Sequence, residues 1–354
     1  MNNLSKKLYT WFQSESQNYP WRLNSTPYSI WISEIMLQQT QASTVIPYFN
    51  KWIEIYPSLD HLKTAKFDHL IKLWEGLGYY KRVNYIYNSS KIINVEHNNK
   101  MPMSYENLIK LPGIGDYTAS AILSIAFNQA YPAIDGNLKR VLSRINTLNI
   151  QNQKLKIFKS FASTYYSKYN PGIINQSLMD LGRLICTFKN PKCNICPINN
   201  YCNAYKTNTI ALYPTIKTKK KLPMYNVVVG LIIKKNKFLI SKRKSTGLLA
   251  NLWELPGGKK KRNETDLDCL RREIKEETDI TIANPYFIGT IKHQYSHFKI
   301  NINLFKCEYD SGKARSISSQ KIKWIFKKNI NQFTFPSATH KLFQLLDKKN
   351  ESYL

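Results

Sequence analysis

The chain runs to 354 residues, longer than a single domain usually is, and its 43% hydrophobic content is enough for real cores, so two or three globular units are expected. Its 52 Lys and Arg against 23 Asp and Glu leave a formal charge of +29, which favours contact with phosphates, although Lys and Asn also fill ordinary surface positions. No uninterrupted apolar run approaches bilayer-spanning length, and Met1-Asn2-Asn3-Leu4-Ser5-Lys6-Lys7 has no apolar stretch behind its charges. These two features argue against a membrane partner and lead to the expectation of a cytoplasmic protein.

Up to about Ile150 the pattern predicts a succession of amphipathic helices, for example Tyr28 to Gln41 and Phe67 to Leu77, broken by Pro and Gly at turns. Helical spacing continues from Phe158 to Cys186, and a cysteine-rich segment follows it to about Tyr205. Residues 1–205 therefore read as an all-α unit ending in a metal-binding loop at 186–202. Residues 206–222 read as a linker carrying the charge run Lys217-Thr218-Lys219-Lys220-Lys221. Beyond it, Val227 to Ile233, the turn Lys234-Lys235-Asn236-Lys237 and Phe238-Leu239-Ile240 predict a β-hairpin opening an α+β unit at 223–345.

Four of the six cysteines crowd into Cys186, Cys193, Cys196 and Cys202, separated by six, two and five residues, while Cys269 and Cys307 stand alone. That distribution is unlike a disulfide framework and suits a metal centre in a reduced compartment. Four thiolates satisfy either an iron-sulfur cluster or tetrahedral zinc. Leu111-Pro112-Gly113-Ile114-Gly115-Asp116-Tyr117-Thr118-Ala119 holds two glycines before a helix start, which lets backbone N–H groups approach a phosphate. Glu34 lies in an apolar stretch whose desolvation raises a carboxyl pKa toward that of a general acid. Asp135 reads as a helix N-cap by itself. On a helix, Glu273, Glu276 and Glu277 share a face that suits Mg²⁺.

The cysteine spacing resembles, at all four positions, the [4Fe-4S] loop of the endonuclease III superfamily of DNA glycosylases, and Leu111–Ala119 resembles that superfamily's helix-hairpin-helix. Trp31-Ile32-Ser33-Glu34-Ile35-Met36-Leu37-Gln38-Gln39-Thr40-Gln41 resembles the adenine glycosylase signature. The resemblance implies a structural [4Fe-4S] cluster and, as partner, double-stranded DNA carrying adenine opposite 8-oxoguanine or guanine, bound by a monomer. It makes Glu34 the acid that protonates N7 of adenine and Asp135 the carboxylate that stabilises the sugar cation. Strand-cutting members hold a nucleophilic lysine where this chain has Tyr117, so a monofunctional enzyme is implied.

Gln39 and Tyr79 match intercalating positions, Arg22 and Gln176 match the adenine pocket, and Thr40 and Leu77 match contacts on the 8-oxoguanine side. Gly113 and Gly115 match the phosphate-binding turn. Gly258, Glu264 and Arg272-Glu273-Ile274-Lys275-Glu276-Glu277-Thr278-Asp279-Ile280 fit a Nudix box, except that Asp279 replaces its glycine. Gln294-Tyr295-Ser296-His297-Phe298 resembles the Phe-Ser-His loop that recognises 8-oxoguanine, with Tyr295 in place of Phe. Other readings are a thymine or oxidised-pyrimidine glycosylase, a Nudix pyrophosphohydrolase with a DNA-binding arm, and a mismatch sensor that only binds.

Overall fold

The computed structural model describes residues 2–149, 154–166, 169–214 and 221–349. All of the predicted charge run except Lys221 lies outside the described residues. The chain forms two compact units, one of Met1–Phe67 with Arg82–Thr218 and one of Asp68–Lys81 with Lys219–Leu354. Among the described residues no helix is long and apolar enough to cross a membrane.

The first unit is helical. Its principal helices include Asn2–Glu15, Pro27–Leu37, Ala42–Ile55, Asp116–Phe127, Gly136–Asn146, Leu155–Ser163 and Pro171–Leu184. Leu4 and Leu8 from the first, Leu138, Val141 and Leu142 from the fifth, and Ile174, Leu178 and Leu181 from the last meet around Phe158 in one core. The Pro27–Leu37 helix is different in kind, because nine of its eleven residues are buried. A helix that is apolar on all sides can only be stable when neighbours cover every face.

This helix starts on a reciprocal cap, with Thr26 Oγ1 accepting from Ser29 N at 3.1 Å and Ser29 Oγ accepting from Thr26 N at 2.9 Å. It ends at Leu37, short of the predicted Gln41. The buried Arg82 donates through Nη1 to the carbonyls of Ile35, Met36 and Gln38, placing a cation at the helix C-terminus, and Gln39 then turns to φ +57°. The predicted helix at Phe67 also stops early, at Leu73, because Gly76 and Gly78 take φ of +96° and +76°. The spacing from Phe158 to Cys186 is interrupted as well. Asn170 caps a new helix there, its Oδ1 accepting from Gly172 N at 2.8 Å with Pro171 in the first position.

The second unit is built on a seven-stranded mixed sheet of β1 (Met224–Lys234), β2 (Lys237–Lys242), β3 (Trp253–Glu254), β4 (Gly257–Lys259), β5 (Ile280–Gln294), β6 (Lys299–Gly312) and β7 (Lys321–Ile325). The path runs β3-β2-β1-β6-β5, with β4 on β1 and β7 on β2, and only β1 and β6 pair in parallel. The β1–β2 hairpin closes where the sequence predicts it, at Lys235 and Asn236 with φ of +46° and +60°. Alternation along β1 sends Val228 and Ile232 toward Leu270 and Ile274 of the Asp266–Thr278 helix. Val229 and Leu231 face Leu342, Phe343 and Leu346 of the Ser337–Lys348 helix. Asp68–Lys81 belongs to this unit, with Glu75 Oε1 accepting from Phe335 N at 2.8 Å and lying 2.9 Å from His340 Nε2.

Two helices of the first unit pack closely through Gly172, where an added Cβ would meet Ser124 O at 2.5 Å and the Ile125 Cα at 2.7 Å, both backbone atoms. Gly172→Ala is expected to cost about 1–3 kcal/mol by overpacking. Gly136→Ala, where nothing lies within 4 Å, should be near neutral. Denaturant midpoints of the two variants test the contrast.

Candidate active site

A cavity of about 640 Å³ opens in the helical unit and brings together Arg22, Glu34, Thr40, Tyr117, Asp135 and Gln176, which the sequence scatters over more than 150 positions. Each arrives on a different structural device. Glu34 comes from the largely buried Pro27–Leu37 helix, Tyr117 from the first turn of Asp116–Phe127, and Asp135 from the N-cap of Gly136–Asn146. Among the described residues that line this cavity there is no lysine.

Glu34 is only 7% exposed, and its Oε2 is buried without a hydrogen-bond partner. Burial lifts its pKa to about 7; a hydrogen bond from Tyr117 and the charge of Arg22 pull it down, and the Asp135 carboxylate pushes it up. Burial also holds the Tyr117 phenol well above its ordinary value, with Glu34 and Asp135 adding to the effect. Asp135 Oδ1 accepts from Leu138 N at 2.6 Å and Oδ2 accepts from Asn137 Nδ2 at 2.9 Å, so the capping bond fixes the carboxylate's direction.

The Gly113–Gly115 turn precedes the Asp116–Phe127 helix. Gly113 takes φ +80°, and a Cβ there would collide with the Tyr85 side chain at 2.5 Å, whereas Gly115 has open space around it. Gln38 Nε2 donates to the Gly113 carbonyl at 3.1 Å, tying this turn to the end of the Glu34 helix. Gln39 is exposed at φ +57°. In the second unit Tyr79 is 40% exposed at φ +48°. Left-handed backbone is uncommon for such residues and concentrates at functional positions. Leu77 is 5% exposed, so its side chain serves as packing.

Cys186, Cys193, Cys196 and Cys202 line one small cavity of about 30 Å³ with Ile185 and Ile210. Arg144 Nη1 lies 3.3 Å from the Cys186 sulfur, and backbone N–H groups of Ile198 and Tyr205 point at Cys196 and Cys202. Burial pushes the Cys196 thiol up to about 12. Among the described residues no group of three or more His, Cys, Asp or Glu is arranged to hold a single metal ion.

The second unit has its own cavity of about 310 Å³, lined by Glu273, Glu277, Glu254, Tyr295 and Phe298 among others. The three carboxylates expected to share Mg²⁺ are divided. Arg272 Nη1 engages Glu273 at 2.7 Å and Glu276 at 3.2 Å, and its Nε engages Glu264 at 2.6 Å. Glu277 Oε2 instead accepts from Gly257 N, and burial beside Glu254 lifts its pKa to about 7. Asp279 occupies the left-handed position after the helix, at φ +57°. Between β5 and β6, Tyr295 N donates to Phe298 O at 2.9 Å and the Tyr295 ring packs against His293 and Phe298, which leaves Ser296 and His297 exposed at the turn's tip. Ser296 Oγ lies 2.5 Å from Tyr79 Oη.

Three charged residues emerge that pattern reading did not single out: Arg82 at the end of the Glu34 helix, Arg144 at the cysteines, and Asp180 beside Arg22. Each is isolated among residues of ordinary spacing, and only its buried partners reveal it. For Glu34, native protonation persists to about pH 7 while an unfolded carboxyl ionises near 4.5. Stability is therefore lost as pH rises through that window, by about 3 kcal/mol above it. Glu34→Gln should unfold at higher denaturant than wild type at pH 8 by about 2–3 kcal/mol and match it near pH 4.5. A difference that is the same at both pH values would contradict the raised pKa.

Residues 32–165 match the HhH-GPD superfamily base excision DNA repair protein model and residues 228–345 match the NUDIX domain model. The adenine DNA glycosylase of Buchnera aphidicola subsp. Schizaphis graminum is 35% identical over 96% of this chain and 98% of its own length. That of Buchnera aphidicola subsp. Baizongia pistaciae is 39% identical over 80% of each, and that of Homo sapiens is 26% identical over 96% of this chain and 73% of its own. In fold the chain is similar to a thermostable thymine-DNA glycosylase, with TM-score 0.54 and 24% identity over 57% of this chain and 95% of that one. An endonuclease III in a non-covalent DNA complex gives TM-score 0.50 and 20% identity over 58% of this chain and 94% of that one. A helical HhH-GPD unit followed by a Nudix-like unit, and full-length identity of this degree, lead to one conclusion: the chain belongs to the adenine DNA glycosylase family and is a DNA glycosylase of base excision repair.

Proposed function

We propose that this chain hydrolyses the N-glycosidic bond of adenine mispaired with 8-oxoguanine or guanine in double-stranded DNA and leaves an abasic site. The observation that carries the reading is a protonatable carboxyl, Glu34, with a pKa of about 7, facing the same cavity as a hydrogen-bonded carboxylate, Asp135. A buried carboxyl that keeps its proton suits an acid, and a carboxylate held by backbone and amide donors suits its electrostatic partner. Stacked adenine cannot reach either group, so the nucleotide must leave the helix and enter the cavity. There Glu34 donates its proton to N7, which turns the base into a competent leaving group. Asp135 faces the positive charge that develops on the sugar as the bond breaks, and water completes the hydrolysis. A tyrosine at position 117 and the absence of a lysine among the described lining residues support excision without a Schiff base, hence without strand cutting.

Arg22 and Gln176 line the cavity and would hold the base, with Thr40 at its rim. Gln39 and Tyr79, exposed on left-handed backbone, suit the filling of the vacated stack, and Leu77 contributes through its main chain. The Gly113–Gly115 turn and the helix start behind it suit a phosphate. Cys186, Cys193, Cys196 and Cys202 would hold a [4Fe-4S] cluster; Arg144 and the N–H groups beside the sulfurs suit thiolate charge. The cluster would serve structurally. Tyr295, Ser296 and His297 form the candidate lesion reader, with Ser296 positioned to hydrogen-bond the altered purine edge. We read Glu273, Glu276 and Glu277 as a scaffold rather than an Mg²⁺ site, because Arg272 already neutralises two of them. Working as a monomer, the chain divides in this reading into a glycosylase domain at 1–205, a linker at 206–222 and a reader domain at 223–345.

A labelled duplex with one adenine opposite 8-oxoguanine tests the whole reading. Wild type should yield alkali-dependent cleavage and no direct strand break, Glu34→Gln should yield none, and an intact duplex with wild type would overturn the proposal. Wild-type excision should slow as pH rises past about 7, since the acid must be protonated. Ser296→Ala with His297→Ala should erode the preference for 8-oxoguanine over guanine, while excision at high enzyme concentration persists; unchanged preference would remove the reader role.

A further inference from the structure

Asp180 lies on the Pro171–Leu184 helix at 3% exposure, and none of the steps above employs it. Its Oδ2 accepts from Arg22 Nη1 at 2.7 Å, while its Oδ1 stands 3.6 Å from Arg183 Nη2. A buried carboxylate is retained only where it is paired, and this one is paired with a residue of the active cavity. Arg22 is held on other sides too. Its Nη1 donates to the Gln17 carbonyl at 3.2 Å, and its guanidinium lies over the rings of Phe12 and Tyr19 at 5.2 and 5.0 Å. Yet its Nε is buried without a hydrogen-bond partner, as is Glu34 Oε2. Unsatisfied buried polar atoms are rare, and two of them belong to residues that line this one cavity.

We propose that Asp180 is a positioning residue for excision: it fixes the Arg22 guanidinium at the adenine pocket and neutralises it there. This inference rests on the reading of Arg22 and Glu34 as adenine contacts. The neutralisation has a consequence for the acid. Glu34 is faced by Tyr117 from the Asp116–Phe127 helix, by Asp135 from the cap of Gly136–Asn146, and by Arg22 from Pro20–Leu23, with Asp180 and Arg183 behind Arg22. Of these, Arg22 works against protonation. A guanidinium whose charge is balanced from behind donates hydrogen bonds to the base without holding Glu34 ionised, so both tasks fit in one cavity. Without that balance, one would undermine the other.

Single-turnover excision from the adenine:8-oxoguanine duplex, measured across pH for five variants, tests this. In Asp180→Asn the fall in rate with rising pH should begin roughly 0.5–1 unit lower than in wild type, which makes excision up to about tenfold slower at pH 8. Asp180→Glu restores the charge and should return the limb toward its wild-type position. Arg22→Ala should move the limb upward, because the cation that favours ionised Glu34 is gone while the Asp180 carboxylate remains. Below the limb the double variant Arg22→Ala/Asp180→Asn should be no slower than Arg22→Ala alone, and its limb should lie lower than that of Arg22→Ala because the anion is gone as well. A merely structural Asp180 would lower the rate without moving the limb, and a folded Asp180→Asn with the wild-type profile overturns the proposal. If Asp180→Asn does not fold, an unmoved limb in Arg22→Ala overturns it instead. Failure of the underlying reading shows separately, as undiminished excision by Glu34→Gln.

Discussion

The burial of one carboxyl on a helix with no polar face organises the helical unit. Glu34 can remain protonated near neutral pH only if water is kept from it, and water is kept from it only if the Pro27–Leu37 helix is covered on every side. That requirement explains features which would otherwise look incidental. The reciprocal cap at Thr26 and Ser29 and the three carbonyls taken by Arg82 satisfy the ends of a helix that has little access to solvent. The cost is paid in stability, since a carboxyl that resists ionisation disfavours the folded state wherever the unfolded chain would ionise.

The two carboxyls of the cavity show how local structure divides labour. Glu34 sits mid-helix, where backbone N–H groups are already engaged and nothing solvates an anion. Asp135 sits at an N-cap, where free N–H groups and the positive end of the helix favour one. Their chemistry follows from position in a helix more than from any difference between Asp and Glu. The Arg22–Asp180 pair extends this logic one layer outward, placing a compensated cation where a bare one would spoil the acid.

In the second unit the Nudix box has kept its acidic residues, but Arg272 spans Glu264, Glu273 and Glu276, and Asp279 takes the left-handed position that glycine usually fills. The helix still does architectural work, burying Cys269, Leu270 and Ile274 against one face of the sheet. The exposed chemistry of this unit lies at turns instead. The packed Tyr295 ring anchors the turn on which Ser296 and His297 stand exposed, and Tyr79 brings its hydroxyl to Ser296 from the Asp68–Lys81 segment of the same unit.

Much of this was legible in the linear order of residues. Contiguous signals survived, because their physics is local: the apolar string around Glu34 forms a buried helix, and the Gly113–Gly115 and Lys235-Asn236 turns form where the sequence places them. Helix ends did not survive, since Arg82 lies more than forty residues from the carbonyls it caps and glycine backbone overrode apolar spacing after Leu73. The same holds for the groups that tune the site. Asp180 is one acid among 23 until folding buries it against Arg22, and the three box carboxylates look equivalent until Arg272 claims two of them. The sequence by itself determined which residue types stand at which spacing, and with them the family and the candidate chemistry. Only the tertiary structure decided which of those groups are desolvated and paired, because burial and pairing depend on residues brought together from distant parts of the chain.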